Sequence, residues 1–183
     1  MPPHAVNLET ARLILRAPNL DDLDRWADMM SDPDATRFIG GVAPKTLVWR
    51  AIMQMAGAWE LTGVAMFSVL EKPTGRWIGR VGPWQPFGWP GAEIGWGLHP
   101  DAWGKGYALE AATAAMDYAF DILDWPAVIH CINPLNEPSR ALARRLGSVI
   151  QRQSNMPAPL EHEIVDVWGQ TREAWRAQRS SRS

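Results

Sequence analysis

The stretch that decides the fold runs Glu93-Ile94-Gly95-Trp96-Gly97-Leu98-His99-Pro100-Asp101-Ala102-Trp103-Gly104-Lys105-Gly106-Tyr107-Ala108. We expect a strand over residues 92–98, ended by His99-Pro100, then a glycine-rich turn that opens a helix from about 104 to 123. The first N–H groups of a helix have no partner inside it, so such a turn is suited to a pyrophosphate. Gly104 and Gly106 remove side chains that would keep an anion away. An ordinary glycine-containing loop is the alternative interpretation.

Two other phosphate-binding motifs do not fit this stretch. Residues 95–100 have proline where a dinucleotide fingerprint has its third glycine. Gly104-Lys105-Gly106 lacks the spacing and the hydroxyl residue of a Walker A loop. The turn therefore gives little support to ATP or a nicotinamide cofactor. A nucleotide-binding protein is kept as the third interpretation of the chain.

The composition indicates the size and class of the protein. Its 183 residues are 46% apolar and 21% charged, which fits one folded domain and excludes wholesale disorder. We place that domain at residues 1–178 and expect a disordered tail at 179–183. The single cysteine, Cys131, excludes an intramolecular disulfide and a multi-cysteine metal site. The four histidines show no ligand spacing, so we expect no metal.

Charge and the N-terminus bear on partners and location. Lys and Arg total 18 against 20 for Asp and Glu, a net charge of −2, which gives no indication of a nucleic-acid partner. The chain starts with neither a basic nor an apolar block. Its longest uncharged helix-compatible stretch, about 51–59, is far shorter than the roughly 20 residues of a membrane span. We therefore expect a cytoplasmic monomer or homodimer with no membrane partner.

Strand-like and helix-like segments alternate along the chain. We expect strands at residues 8–16, 64–70, 76–81, 92–98, 127–132, 148–153 and 163–168. We expect helices at about 19–30, 46–61, 104–123, 136–146 and 171–178. Three consecutive strands with short links favour hairpins. The order predicts an α/β fold of the mixed α+β kind, with a central mixed, mostly antiparallel sheet of about seven strands flanked by helices.

The chain resembles the GCN5-related N-acetyltransferases (GNAT), most closely their ribosomal-protein N-terminal acetyltransferase branch. The resemblance is carried by Thr10-Ala11-Arg12-Leu13-Ile14-Leu15-Arg16, Asp32-Pro33, Glu93-Ile94-Gly95-Trp96, Trp103-Gly104-Lys105-Gly106-Tyr107-Ala108, Asn136-Glu137-Pro138-Ser139 and Arg145-Leu146-Gly147. It implies a sheet that splays into a V between the fourth and fifth predicted strands. It also implies transfer of an acetyl group from acetyl-CoA to a primary amine.

The resemblance further implies where acetyl-CoA binds. The pyrophosphate would lie on the turn formed by Trp103, Gly104, Lys105, Gly106, Tyr107 and Ala108. The pantetheine arm would run between the splayed strands and bond to backbone groups of Leu98 and His99, in the manner of an added strand. The side-chain amide of Asn136 would contact the same arm. A helix N-cap is the alternative role for Asn136, and the two roles are compatible.

Three positions depart from the family pattern. Trp103 stands where the wider family has Gln or Arg, and Ser148 stands where Phe is usual. Ala143 occupies the position at which many relatives have a tyrosine that protonates the departing thiolate. The only tyrosines, Tyr107 and Tyr118, both fall on the predicted long helix. Acid catalysis by tyrosine is therefore in doubt.

The reaction needs a neutral amine, so a base or a water chain should remove a proton. Our candidate base is Glu93, and a solvated strand carboxylate is the alternative. Asp166 and His162 are the second and third candidates. Ser139 is our candidate for meeting the thiolate, against a plain helix residue. Cys131 lies in an apolar strand, so we interpret it as a buried thiol and expect direct transfer within a ternary complex.

The loop at residues 82–91 contains three aromatic residues, Trp84, Phe87 and Trp89. They are predicted to wall the pocket of the acceptor, and packing within the loop is the alternative. The acceptor would be a protein N-terminus or a small-molecule amine. A non-catalytic acyl-CoA-binding or regulatory module of the same fold is the second hypothesis for the whole chain.

Overall fold

The computed structural model describes residues 6–181, and its centre is one eight-stranded sheet in the order β1-β2-β3-β4-β5-β6-β8-β7. The strands are β1 (Leu8–Glu9), β2 (Leu13–Arg16), β3 (Phe67–Glu71), β4 (Arg76–Trp84), β5 (Glu93–Leu98), β6 (Ala127–Ile132), β7 (Val149–Asn155) and β8 (Ile164–Thr171). All neighbouring pairs are antiparallel except β5 and β6. The predicted mixed, mostly antiparallel sheet is confirmed.

The sheet has eight strands rather than about seven because the first predicted strand is broken in two. Thr10 turns the chain back: its backbone N–H donates to the carbonyl of Leu13 at 3.0 Å. Its Oγ1 accepts from the N–H of Leu13 at 3.0 Å. Residues 8–16 therefore form a small hairpin, with Leu8 opposite Leu15.

In the part of the chain that the structure describes, six α-helices flank the sheet: α1 (Leu23–Ser31), α2 (Pro33–Thr36), α3 (Lys45–Thr62), α4 (Tyr107–Asp121), α5 (Glu137–Leu146) and α6 (Arg172–Ser180). Left-handed glycines end two of them, Gly63 after α3 and Gly147 after α5. The short helix α2 was not predicted. It forms because the side chain of Asp32 accepts hydrogen bonds from two backbone N–H groups, those of Asp34 and Ala35.

Helix α4 packs on the middle of the sheet, against β2, β4, β5 and β6. Three fully buried alanines, Ala111, Ala112 and Ala115, let its backbone approach the strands closely. Helix α1 contacts both α3 and β4, and the indole ring of Trp26 in α1 stacks on that of Trp77 in β4 at 5.5 Å. These contacts fix α1 and α3 relative to β4.

Strands β5 and β6 share a single parallel bridge, Glu93 opposite Ile129, and then separate. The N–H of Ile129 donates to the carbonyl of Ala92 at 2.8 Å, just before the strands part. This is the V that the family resemblance implies. Strand β4 runs three residues further than predicted, so Trp84 lies at the end of a strand and not in the following loop.

The C-terminal helix corrects the expected tail. Helix α6 continues to Ser180, two residues into the segment predicted to be disordered. Arg179 holds this end: it forms an ion pair with Asp117 at 3.1 Å, and its guanidinium lies over the ring of Trp175. Arg182 and Ser183 lie outside the described residues. Within residues 6–181, every helix is too short or too polar to cross a membrane.

Candidate active site

A cavity of about 390 Å³ lies where β5 and β6 separate. Strands β4, β5 and β6 contribute to its lining, as do α1, α3 and the segment between β7 and β8. Five of the predicted site residues line it: Trp84, Trp89, Glu93, Asn136 and Ser139. The fold therefore brings the candidate base, the candidate thiolate contact and two of the three acceptor aromatics to one place.

Glu93 is buried at the apex of the V, with 6% of its surface exposed. Its carboxyl accepts a hydrogen bond from the indole N–H of Trp89 at 2.5 Å and another from the backbone N–H of Cys131 at 2.9 Å. Burial raises the pKa of Glu93 to about 7, although the two hydrogen bonds and the charge of Arg80 oppose that shift. The alternative of a solvated carboxylate is wrong, and the group can exchange a proton near neutral pH.

His130 bridges the opening between β5 and β6. Its Nδ1 lies 2.7 Å from the carbonyl oxygen of Ile94, and its Nε2 lies 3.0 Å from Oγ of Ser148. Burial lowers the pKa of His130 to about 4, so the ring is neutral. Because a carbonyl only accepts, Nδ1 carries the proton and Nε2 accepts from Ser148. Ser148, which departs from the family pattern, thus hydrogen-bonds to His130, the histidine that joins β6 to β5 at the opening of the V.

One edge of β5 faces the opening. The N–H of His99 donates to the carbonyl of Ile78 in β4, and successive residues of a strand point their N–H groups in opposite directions. The N–H groups of Trp96 and Leu98 therefore point away from β4, towards the opening, beyond the single bridge to β6. The carbonyl of Leu98 accepts from the indole N–H of Trp103 at 2.9 Å. Of the two backbone groups of Leu98, the N–H therefore faces the opening, and the carbonyl is already bonded within the protein.

His99 is not placed as expected. Its backbone N–H is used by Ile78. Its Nε2 lies 2.9 Å from the carboxylate of Asp28, and its Nδ1 lies 3.3 Å from the backbone N of Asp101, capping the short 3-10 turn that precedes Trp103. His99 therefore has no free backbone group for acetyl-CoA: its N–H points into the sheet, and its carbonyl accepts from the N–H of Ala102.

The glycine turn has the geometry of an anion site. Gly104 and Gly106 have φ of +71° and +78°, the left-handed region that favours glycine. Within residues 6–181, and apart from the two adjacent residues, no atom lies within 4 Å of the position that a Cβ on Gly104 would occupy. Gly106 precedes α4 without a side-chain cap, so the N–H groups of Tyr107 and Ala108 in its first turn have no intrahelical partner. The turn fits a pyrophosphate on these grounds.

The turn is anchored from behind. The Arg12 guanidinium donates to the carbonyl of Lys105 at 3.0 Å and to the carboxylate of Glu110 at 2.6 Å. The hydroxyl of Tyr107 donates to Glu71 at 2.7 Å. Only the backbone of Tyr107 can therefore bind a phosphate. The side chain of Lys105 is exposed to solvent and can turn towards a bound phosphate.

Asn136 and Ser139 lie at the start of α5, on the side of the V formed by β6. The side-chain oxygen of Asn136 accepts from the N–H of Ser139 at 3.2 Å, so Asn136 is a helix N-cap. Its side-chain N–H groups have no hydrogen-bond partner within residues 6–181 and remain for a ligand. Oγ of Ser139 accepts from the indole N–H of Trp96 at 3.0 Å, which leaves the serine O–H to donate.

Neither tyrosine reaches the cavity. Tyr107 bonds to Glu71, and Tyr118 is buried edge-on against Phe67. Ala143 is fully buried. Cys131 lines the cavity and is half-buried; burial and the neighbouring Glu93 raise the pKa of its thiol, so the group stays protonated. This supports the interpretation that Cys131 is not the nucleophile.

Three predicted candidates fall outside the cavity. Phe87 is fully exposed because the loop carries it outward, so its assignment to the acceptor pocket is wrong. Asp166 is buried on β8, where it accepts from the side chain of Gln153 at 3.1 Å. His162 is exposed in the turn between β7 and β8. No group of three or more His, Cys, Asp or Glu side chains that could hold a metal occurs within residues 6–181.

Sequence reasoning missed the wall opposite the V and one charged residue on the sheet. Helices α1 and α3 and the chain between them contribute Trp26, Met30, Phe38, Leu47, Val48 and Met55. Their apolar spacing is the same as that of core residues, so it gave no signal. Arg80 also lines the cavity. Its one sequence signal is a charge inside the otherwise uncharged run from Trp77 to Trp84.

The comparisons with known proteins agree with this geometry. A model of the acetyltransferase (GNAT) domain matches residues 12–149. The uncharacterized N-acetyltransferase p20 of Bacillus licheniformis is 36% identical over 143 residues, covering 76% of this chain and 80% of that protein. The crystal structure of the acetyltransferase from Agrobacterium tumefaciens str. C58 superposes with a TM-score of 0.80 at 29% identity, covering 91% of this chain and 95% of that one.

The fold of the predicted branch is present among the solved structures. The ribosomal-protein-S5-alanine acetyltransferase from Vibrio fischeri superposes with a TM-score of 0.71, covering 93% of this chain and 98% of that one. At 17% identity this likeness shows the fold alone. The family model, by contrast, covers most of the chain, including β5, the glycine turn and α5. The chain belongs to the GCN5-related N-acetyltransferase (GNAT) family.

Proposed function

We propose that the protein transfers the acetyl group of acetyl-CoA to a primary amine by direct attack in a ternary complex. The observation that carries this proposal is the buried Glu93 carboxyl at the apex of the V, inside a cavity that Asn136 and Ser139 also line. Membership of an acetyltransferase family supports the reaction class. On the sequence grounds above, we propose a cytoplasmic monomer or homodimer that has no nucleic-acid or membrane partner.

Three groups of the chain would hold acetyl-CoA. The free N–H groups of the turn around Gly104, Gly106 and Ala108 suit the pyrophosphate. The unpaired edge of β5 at Leu98 suits the amide-containing arm, and the free amide N–H groups of Asn136 suit its carbonyl oxygens. When bound, acetyl-CoA supplies a thioester whose acyl carbon the amine attacks.

Glu93 would accept the proton of the attacking amine. A primary amine is mostly protonated at neutral pH and cannot attack until it loses a proton. With a pKa of about 7, Glu93 is partly ionised at that pH. The two N–H donors from Trp89 and Cys131 stabilise the carboxylate that must form. The same burial that raises the pKa makes the carboxylate a stronger base than an exposed one.

The remaining charges have candidate partners. The N–H groups of β5 near Leu98 would polarise the thioester carbonyl and stabilise the negative charge that develops on its oxygen. The new bond joins the amine nitrogen to the acyl carbon, the nitrogen then loses its second proton to solvent, and the carbon–sulfur bond breaks. Ser139, whose O–H is free to donate, would give the departing thiolate a proton and recover one from solvent.

A thermal melt tests the binding half of the proposal. Acetyl-CoA and CoA at about 100 times their dissociation constants should each add roughly 2.7 kcal/mol of stability. For a chain of this length that is a rise in Tm of about 5–10 °C. ATP and NAD should give no rise. Release of CoA on adding a panel of amines then tests turnover, and a rise with ATP or NAD alone would contradict the proposal.

One observation favours a second candidate function, that of a non-catalytic acyl-CoA-binding module. Neither Tyr107 nor Tyr118 lines the cavity, so the hydroxyl that protonates the thiolate in many relatives is missing. Under this candidate, acetyl-CoA raises Tm but no amine gives turnover above the rate in buffer. Turnover with any amine in the panel decides for the enzyme.

A further inference from the structure

Arg80 is a cation on the floor of the cavity with almost no partner. Its Nη1 donates to the thioether sulfur of Met66 at 3.0 Å, and its Nε is buried without a hydrogen bond. Its guanidinium lies 5.8 Å from the centre of the Trp26 ring. No carboxylate among residues 6–181 lies within 4.0 Å of it. A thioether and an aromatic face give this partly buried cation no ion pair, and within residues 6–181 its charge acts only from a longer distance on Glu93.

Arg80 shares its face of the sheet with Glu93. In the register of β4 and β5, Arg80 lies opposite Gly97 and Trp84 lies opposite Glu93, and residues two apart along a strand point to the same face. Only glycines, Gly82, Gly95 and Gly97, stand between the guanidinium and the carboxyl on these two strands. No side chain of β4 or β5 therefore lies between the two ionisable groups, and Met66 packs over these glycines, its Cε against the point that a Cβ on Gly95 would occupy.

Met66 lies between the guanidinium of Arg80 and the carboxyl of Glu93. Its sulfur is 3.0 Å from Nη1 of Arg80 and 3.8 Å from the point that a Cβ on Gly95 would occupy, which is itself 3.8 Å from Cδ of Glu93. One thioether and one missing side chain separate the cation from the candidate base. Because Arg80 and Glu93 line the same cavity, a single small molecule bound there can contact both groups.

Most of the remaining lining is apolar, although Gln54, Asn133 and Glu163 also contribute to it. The wall formed by α1, α3 and the chain between them consists of indole, thioether, phenyl and aliphatic groups apart from the amide of Gln54. Met156 and Leu160 close the side near β8, where Glu163 also lies. This wall offers no second charge to Arg80. It favours a ligand with a sizeable apolar group.

We propose that the acceptor is a small amine that carries both a carboxylate and a bulky apolar group, such as an α-amino acid with an aromatic or large aliphatic side chain, and that Arg80 pairs with its carboxylate. Guanidinium and carboxylate match as a bidentate pair, and the pair compensates a charge that the chain leaves unpaired. A protein N-terminus has an amide in place of that carboxylate and fits less well. This inference rests on the proposed acetyl transfer.

The test compares L-phenylalanine, L-phenylalanine amide and 2-phenylethylamine as acceptors by kcat/KM. The wild-type protein should prefer the free amino acid over the amide by about 10- to 100-fold, the range expected for a hydrogen-bonded charge pair. In Arg80→Gln this preference should fall to near one, through a higher KM for phenylalanine. Comparing the same two acceptors in both proteins cancels their different intrinsic reactivity. Arg80→Lys should keep part of the preference.

Arg76→Gln is the matched control, since Arg76 lies on the same strand but pairs with Asp101 outside the cavity. It should keep the wild-type preference. The inference is wrong if the wild type uses the amide, the amine or a short peptide amide as well as the amino acid, or if the preference survives Arg80→Gln. Either result would leave acetyl transfer itself intact.

A failure of the proposed function has a different signature. If acetyl-CoA raises Tm but no amine gives turnover, L-phenylalanine is added to the complex with CoA and the melt is repeated. A further rise in the wild type that is lost in Arg80→Gln supports the carboxylate site without catalysis. No rise in the wild type overturns the site as well.

Discussion

The indole N–H of Trp89 donates a 2.5 Å hydrogen bond to the carboxyl of Glu93. Trp89 lies in the loop between β4 and β5, and Glu93 is the first residue of β5. The backbone N–H of Cys131 donates to the other carboxyl oxygen across the V. The loop, β5 and β6 are therefore joined through one buried carboxyl, and the rotamer of Glu93 is fixed from both sides. A base held in this way loses little freedom when an acceptor binds.

Glu93→Gln should lower kcat by about 10²- to 10⁴-fold, the usual contribution of a positioned base. The amide keeps the size of the carboxyl but cannot take a proton from the amine. Binding of acetyl-CoA should be unchanged, because the turn that suits the pyrophosphate lies beyond the opposite end of β5. The measurement is CoA release at saturating acetyl-CoA, together with the melt with acetyl-CoA.

The pH profile gives the specific check on this role. Wild-type kcat should rise with pH through an apparent pKa near 7 as Glu93 ionises, and Glu93→Gln should lose that rise. Asp166→Asn is the matched control, because Asp166 is a buried carboxyl outside the cavity. If Glu93→Gln retained wild-type kcat and the same profile, the base would have to be sought elsewhere.

The stability of the protein should depend on pH in opposite ways through Glu93 and His130. The folded chain holds the proton of Glu93 up to about pH 7, whereas the unfolded chain loses it near 4.5. The folded chain thus binds more protons in that window, and the free energy of unfolding falls as pH rises. His130 takes a proton near 6.5 when unfolded and only near 4 when folded. Through His130, stability falls as pH falls in that window.

Because these two effects oppose each other between about pH 4.5 and 6.5, the wild type alone should show only a weak trend there. The difference between Glu93→Gln and the wild type isolates one of them. The variant should gain stability relative to the wild type by about 3 kcal/mol in total between pH 4.5 and pH 8. Urea unfolding at pH 5, 6, 7 and 8 measures it. A constant difference across these four values would mean that Glu93 has an ordinary pKa in the folded protein.

Local sequence was sufficient to locate the glycine turn, because it depends on backbone punctuation. The V and the choice of Glu93 came from the family resemblance. Strand β6, at Ala127–Ile132, has the predicted bounds because it is a short apolar run between two prolines, Pro126 and Pro134. The positions of Trp84 at the end of β4 and of Phe87 on the exposed side of the loop could not be predicted in the same way. It depends on where β4 ends and which way the loop turns, and neither leaves a periodic signal.

Tertiary contacts decided the rest of the site. The N–H direction of His99 follows from the register of β5 against β4, and a shift of one residue would have reversed it. The pairing of His130 with Ser148 joins β6 to the residue after α5. The isolation of Arg80 is visible only once α1 lies over β4. Sequence alone gave no distance between any of these pairs.

Ser139→Ala should lower kcat by about tenfold and leave KM for acetyl-CoA within about twofold, if its O–H protonates the thiolate. The effect is smaller than that of Glu93→Gln because solvent can supply the same proton. The change also leaves the indole N–H of Trp96 without its acceptor. The control is Ser154→Ala. Ser154 lies on β7 outside the cavity, and its hydroxyl donates to the carbonyl of Asn155. An unchanged kcat would assign the proton to solvent.

Gly104→Ala should weaken acetyl-CoA binding at least tenfold. The protein itself has room for the methyl group, since no atom lies within 4 Å of the new Cβ. The cost to folding is then the positive φ of +71°, about 1 kcal/mol for alanine. The methyl would instead occupy the space in front of the unpaired N–H groups, where we expect the pyrophosphate. Titration calorimetry with acetyl-CoA and urea unfolding separate the two effects.

The chain offers a matched control in Gly75→Ala. Gly75 lies in the turn between β3 and β4 with φ of +65°, and it too has no atom within 4 Å of its would-be Cβ. The two variants should lose the same amount of stability, because the backbone strain is the same. Only Gly104→Ala should lose affinity, because only its turn opens an uncapped helix. Equal affinity in both variants would show that the glycine turn shapes the fold but does not receive the pyrophosphate.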